Sequence, residues 1–227
     1  MNASDVAEIL KTAEDQLASG GTLSGSDFWR AVRAVKEDSG LVDQFADRIS
    51  EIDARAHTQW ALLSLPLWLG NLLALVATAI FVWLIGRGYQ WAAPWNGVAM
   101  IAGAFGLMTS LHSPAHLLVG RAFGMRYTKW FIGEMKRPQP GVKIEYSTYL
   151  RTPPKRRAIM HAAGAVVSKL AMWLTFLGGF FAGIPAWALI VLGSASVLTT
   201  GTDVFISRRS GDWKKAIREH QFSRNAS

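Results

Sequence analysis

The sequence predicts an all-α polytopic membrane protein: about four transmembrane helices, a membrane-surface β-hairpin between spans two and three, and a small N-terminal cytoplasmic helical region. Three observations predict it. Half of the 227 residues are apolar, and they gather into runs of about 20 or more, the length that crosses a hydrocarbon core about 30 Å thick. Charge is divided along the chain: residues 1–59 hold six Lys/Arg against eleven Asp/Glu, and the remainder holds eighteen against five. The basic residues flank the apolar runs, so topology and anionic head groups account for the net charge of +8, and nucleic acid is not expected as a partner. The lipid bilayer is. The chain has no cysteine, which excludes disulfide and thiolate chemistry.

Residues 1–58 read as an acidic cytoplasmic region of two or three amphipathic helices. Val6, Ile9, Leu10, Ala13 and Leu17 recur at helical spacing, Ser19-Gly20-Gly21 breaks the pattern, and Phe28, Val32 and Val35 start a second stripe after a Ser26/Asp27 cap. A third run, Leu41 to Ile52, carries Phe45 and Ile49 toward the membrane. The polar, acidic N-terminus is unlike a signal peptide, and it is expected to stay in the cytoplasm.

The membrane domain is expected over residues 59–206, with spans near 60–85, 97–120, 158–182 and 186–206, followed by a basic tail over 207–227. Pro66 and Asn71 interrupt the first span without ending it, and Trp91 and Trp95 anchor the approach to the second at the interface. Residues 121–157 hold ten Lys/Arg. Within them Met125–Ile132 and Val142–Leu150 are rich in strand-forming residues and flank Pro138-Gln139-Pro140-Gly141, which predicts the hairpin. Gly183-Ile184-Pro185 turns the third span into the fourth. The loop between spans one and two offers Arg87 alone, whereas the hairpin loop and tail are strongly basic. Both termini are therefore expected in the cytoplasm, the protein lying in a bacterial-type inner membrane. Gly97, Gly103 and Gly106 on span two, with Gly164, Gly178 and Gly179 on span three, permit close helix approach.

Polar residues inside apolar spans are costly and mark sites. His112 and His116 are four residues apart and share a helix face. At a rise of about 1.5 Å per residue, His116 and Asp203 each lie about 7.5 Å inside the cytoplasmic edges set by Arg121 and Arg208, and His112 lies one turn deeper. Two imidazoles and a carboxylate with an open fourth position form a catalytic-type zinc set. His161, four residues into span three, reads as a fourth ligand or a supporting partner. The same residues also suit a metal-free hydrogen-bond cluster between helices. Lys169, halfway along its span, suits a pair with Asp203 or a hydrated cavity. Pro114 removes a backbone donor, which frees the Ser110 carbonyl and kinks the span.

His112-Ser113-Pro114-Ala115-His116, continued by Leu117-Leu118-Val119-Gly120-Arg121-Ala122-Phe123-Gly124, resembles the His-Glu-x-x-His motif and Arg-x-x-Gly continuation of the site-2 proteases, which are intramembrane zinc metalloproteases. The similarity runs through Phe131-Ile132-Gly133 and the β segment to Ala162-Ala163-Gly164-Ala165, and it covers about residues 97–218. Ala165 and Ser168 stand where the family has a proline and an asparagine. The resemblance implies zinc as cofactor, held by His112, His116 and Asp203, the last standing ahead of Arg208-Arg209-Ser210-Gly211-Asp212-Trp213. It also implies that the surface β segment holds an unwound membrane peptide as an added strand. The departure is at the glutamate: Ser113 occupies the place of the family's general base, and a neutral hydroxyl cannot take a proton from water at ordinary pH and pass it to a leaving amine.

Three functions remain open on the sequence. The first is a zinc-binding pseudoprotease, lacking ordinary peptidase activity, that binds or regulates a single-span membrane protein or peptide. The second is an active intramembrane metalloprotease with a relocated base, for which Glu134, Glu145 and Lys169 are available and Glu134, at the start of the hairpin turn, is preferred. The third is a metal-free membrane scaffold acting through its acidic head and basic loops.

Overall fold

The structure, a computed structural model, describes residues 1–133, 140–205 and 211–225. The chain is mostly helical, with one three-stranded sheet. It forms two compact units: Met1–Leu67, Gly120–Arg157 and Glu219–Ser227 make the first, and Trp68–Val119 and Ala158–Arg218 the second. The acidic head thus folds with the hairpin loop and the end of the tail, across the boundaries that hydropathy suggests.

In the first unit, α1 (Ala3–Ala18) opens with a capping box between Asn2 and Asp5 and buries Val6, Leu10, Ala13 and Leu17 along one stripe. Gly20, at φ +80°, ends it in a conformation that costs other residues a Cβ clash. α2 (Phe28–Glu37) buries Phe28, Ala31, Val32 and Val35, and the Ser26 hydroxyl accepts from the Phe28 N–H at 3.4 Å. α3 (Ser39–Trp60) starts where the Asp38 carboxylate accepts from the N–H groups of Gly40 and Leu41. It runs two turns beyond the expected Leu41–Ile52. That extension carries Asp53 and His57, both buried. Asp53 pairs with Lys143. His57 lies under Phe131 and Trp60, with ring centroids 4.7 and 5.7 Å away, and its Nε2 is buried without a hydrogen-bond partner among the described residues. Burial first, then the charges of Lys143 and Lys129, push the His57 imidazole down to about 4.

The sheet has the order β1 (Leu63–Pro66), β2 (Tyr127–Ile132), β3 (Pro140–Ile144), antiparallel throughout, with Leu63 opposite Ile132 and Trp130 opposite Val142. Two expectations are corrected here. The first span does not begin near residue 60: Trp60 closes α3, and Leu63-Ser64-Leu65-Pro66 is a strand. Its period-two alternation lies inside an apolar run, and Pro66 ends the ladder. The second strand stops at Ile144 instead of reaching Leu150, because Tyr146–Arg151 forms a short helix, α7, in which the Thr148 hydroxyl donates to the Glu145 carbonyl at 3.0 Å. The hairpin turn, including Glu134, lies outside the described residues.

The second unit holds most of the apolar helices. α4 (Leu67–Gly88) is apolar all round, and Gly70 and Gly88 are its buried residues, the pattern of a helix meeting lipid. α5 (Trp95–Ser110) and α6 (His112–Ala122) lie in succession, and α8 (Pro154–Phe181) and α9 (Ala186–Phe205) are joined by the turn at Gly183. Among the described residues, three stretches, Leu67–Gly88, Trp95–Ala122 and Pro154–Phe181, are long and apolar enough to cross a membrane, which points to an integral membrane protein. The fourth expected span coincides with α9, 20 residues long. Met100, Ala104, Met172, Ile184, Ala188 and Leu192 form a buried core among α5, α8 and α9. Glycine permits the approaches: a Cβ on Gly97 would stand 2.8 Å from that of Ala188, and one on Gly106 would overlap the Phe81 ring. α10 (Asp212–Asn225) closes the chain, with Asp212–Arg218 in the second unit and its remainder in the first.

Candidate metal centre

Pro114 has no N–H for the Ser110 carbonyl, and the helix turns at Leu111 before restarting at His112. Leu111 keeps a helical backbone, so the change in the helix falls immediately ahead of the first histidine without ending the Trp95–Ala122 stretch. From there α6 places His112 and His116 on one face, their rings 4.9 Å apart and near perpendicular.

Each ring is oriented by its Nδ1. The His116 Nδ1–H donates to the Met160 carbonyl at 2.7 Å. The His112 Nδ1 is 3.1 Å from Ser168 Oγ, and that hydroxyl donates its single proton to the Met108 carbonyl at 2.9 Å. Ser168 must then accept from the His112 Nδ1–H. With Nδ1 carrying the proton in each ring, both Nε2 atoms face the same point.

The third group at that point is Asp212, the first residue of α10. Its Oδ2 is 3.0 Å from His112 Nε2 and 3.2 Å from His116 Nε2, and the two nitrogens are 3.4 Å apart. Three lone-pair donors this close repel one another unless a cation or a proton sits among them. The edge of a tetrahedron of ligands drawn at zinc–nitrogen distances is about 3.3 Å, so the donor set and its spacing suit zinc. A proton is the alternative. Added to either ring it makes an imidazolium that donates to the carboxylate. Burial pushes the Asp212 carboxyl up, but contacts with His112 and His116, and the nearby Lys215, hold it well below the usual carboxylate range. Lys215 Nζ lies 3.3 Å from the other carboxylate oxygen.

The other sequence candidates fall elsewhere. Asp203 is paired with Lys169 at 3.1 Å, so the structure brings Asp212, not Asp203, to the histidines. Depth counting placed Asp203 level with His116, but an aspartate inside an apolar helix needs a counter-charge, and Lys169 supplies it. His161 follows Met160 on α8 and stands outside the three-residue ligand cluster among the described residues. Ser113 is buried on α6. Glu145 precedes α7 in the first unit.

Gly164 faces the back of the site, where a Cβ would overlap the His116 imidazole. Asp212 and the Met160 carbonyl were not legible as site groups from composition. A signal for Asp212 exists: Gly211 at φ +96° precedes it, and Asp212, Ala216, Glu219 and Phe222 recur at helical spacing within a stretch whose Lys and Arg make it read as a tail. No family model matches the chain, and comparison with curated proteins and with solved structures likewise finds no match.

Proposed function

We propose that the chain is a zinc-binding, site-2-protease-like integral membrane protein that lacks ordinary peptidase chemistry and binds or regulates a membrane segment. One observation carries the zinc assignment: two imidazoles whose Nδ1 atoms are committed elsewhere aim both Nε2 atoms, with an Asp212 oxygen, at one point. His112, His116 and Asp212 would hold the metal, which supplies Lewis acidity when bound. Ser168 and Met160 keep the rings in the ligating tautomer, and Gly164 leaves room for the His116 ring. Proton transfer is the missing part, because Ser113 stands where the motif's base would be. Lys169, already engaged by Asp203, is a poor substitute.

Four spans, the last formed by α9, with both termini in the cytoplasm of a bacterial-type inner membrane, satisfy the Lys/Arg distribution. In this reading the partner is a single-span membrane protein whose unwound segment adds to the sheet at β3, a strand paired on one side by β2.

Elemental analysis of detergent-purified protein tests the reading. About one zinc per chain is expected in the parent and in Asp203→Ala, with markedly less in His112→Ala and Asp212→Ala. A metal-free parent after reconstitution with zinc would end the proposal. Ser113→Glu would then be assayed for cleavage of a membrane-segment peptide in the zinc-loaded protein, the gain expected being on the order of 100-fold or more. Val142→Pro should weaken partner association, and unchanged association would remove the sheet from the reading.

A further inference from the structure

Helix α10 carries charge on one buried face at two levels. Asp212 and Glu219 are seven residues apart, 20° short of two full turns and about 10 Å along the axis. Ala216 and Phe222 continue the same buried stripe. Glu219 is fully enclosed: its Oε1 meets Lys36 Nζ at 2.5 Å and its Oε2 meets Arg157 Nε at 2.7 Å. Arg157 also donates to the Leu150 carbonyl at 3.0 Å, and both cations lie over the Tyr149 ring, at 4.8 Å for Lys36 and 5.3 Å for Arg157. An enclosed ion cluster of this kind resists breaking, because removal of one member leaves buried charge uncompensated.

The second helix of the cluster leads to the same place. Arg157 is the fourth residue of α8; three residues on is Met160, whose carbonyl orients His116, then Gly164 behind that ring, then Ser168, which orients His112. Each contact lies within its own unit, and the two helices run through both. Among the described residues, the partner of Asp212 outside the two imidazoles is the half-exposed Lys215.

We propose that Glu219 is a positioning residue for the metal centre: held between Lys36 and Arg157, it fixes the rotation of α10 that sets Asp212 Oδ2 against the two imidazoles. This rests on the zinc reading of the site.

Zinc affinity, measured by chelator competition on the full-length protein, is the first readout. Glu219→Gln should weaken zinc by about 10- to 100-fold, the range seen when groups supporting a ligand are lost, and Lys36→Met should weaken it less. In an Asp212→Ala background, Glu219→Gln should cause no further loss, because it acts through Asp212. Affinity within twofold of the parent, or an equal further loss without Asp212, overturns the proposal. The chain has no cysteine, so Asp212→Cys creates a single thiol whose maleimide labelling reports the position of the α10 start without metal. Labelling should rise by about tenfold when Lys36→Met or Glu219→Gln is added, as expected for local opening. Unchanged labelling overturns the positioning role even if zinc binds. Absence of zinc with increased labelling retains the tether and sinks the metal reading.

Discussion

Glu219 meets two cations, whereas Asp212, on the same helix, meets two imidazoles whose other nitrogens are already committed. The first cluster joins charges of both signs and is closed off from solvent. The second gathers three donors around a point that wants a cation, with His112 more than a third exposed. A cluster that sets buried cations against a carboxylate holds a fold together; one that gathers lone-pair donors around a common point has the character of a binding site.

The sharpest way to break this contrast is Glu219→Ala, which strands Lys36 and Arg157 in a buried setting. It should cost about 3–5 kcal/mol, read as lost cooperative thermal unfolding of the first unit. Next is metal removal. At free zinc about 100-fold above its dissociation constant, bound metal adds about 3 kcal/mol, so a chelator should lower the parent's melting temperature and leave His112→Ala unmoved.

A third effect belongs to His57, buried as a neutral ring beneath Trp60 and Phe131. Its folded value of about 4 lies below the ordinary 6.5. Its contribution is therefore full above pH 6.5 and declines as pH falls from there to about 4, since the unfolded chain takes the proton first. Between those limits the parent should lose on the order of 2 kcal/mol more than His57→Phe, measured by denaturant unfolding at stepped pH. The smallest effect is expected at the exposed pair Asp47–Arg151, whose two 2.8 Å contacts lower the Asp47 carboxyl. Asp47→Asn should change stability by no more than about 0.5 kcal/mol, because water screens what the geometry offers.

Much of this architecture is legible in the residues. The α1 and α2 stripes, the apolar helices, the glycine approaches and the turn at Gly183 follow from periodicity and turn chemistry alone. The histidine pair is legible for the same reason: a helix with a four-residue spacing leaves little freedom in where two side chains meet. Reading fails where an element is short and embedded in something louder. Leu63–Pro66 is a strand of four residues inside an apolar run, and its identity depends on β2, more than sixty residues away. Asp203 and Asp212 show the same difficulty at the site. Asp203 ends the last long apolar segment and Asp212 follows it closely, and what separates them is a partner: Lys169 for one, the histidines for the other. Pairing across such distances leaves no mark on local composition.

The order of the ligands along the chain also sets an order in time. His112 is made 100 residues before Asp212, and both apolar helices α8 and α9 lie between them. At about 5–20 residues per second of synthesis, the histidines wait roughly 5–20 s for their third partner. During that interval the apolar segments emerge and enter the bilayer while the site is still open on one side. On the zinc reading, full-affinity metal capture would be a late step of biogenesis, and a chain stalled or truncated ahead of α10 would display the two imidazoles without the Asp212 carboxylate.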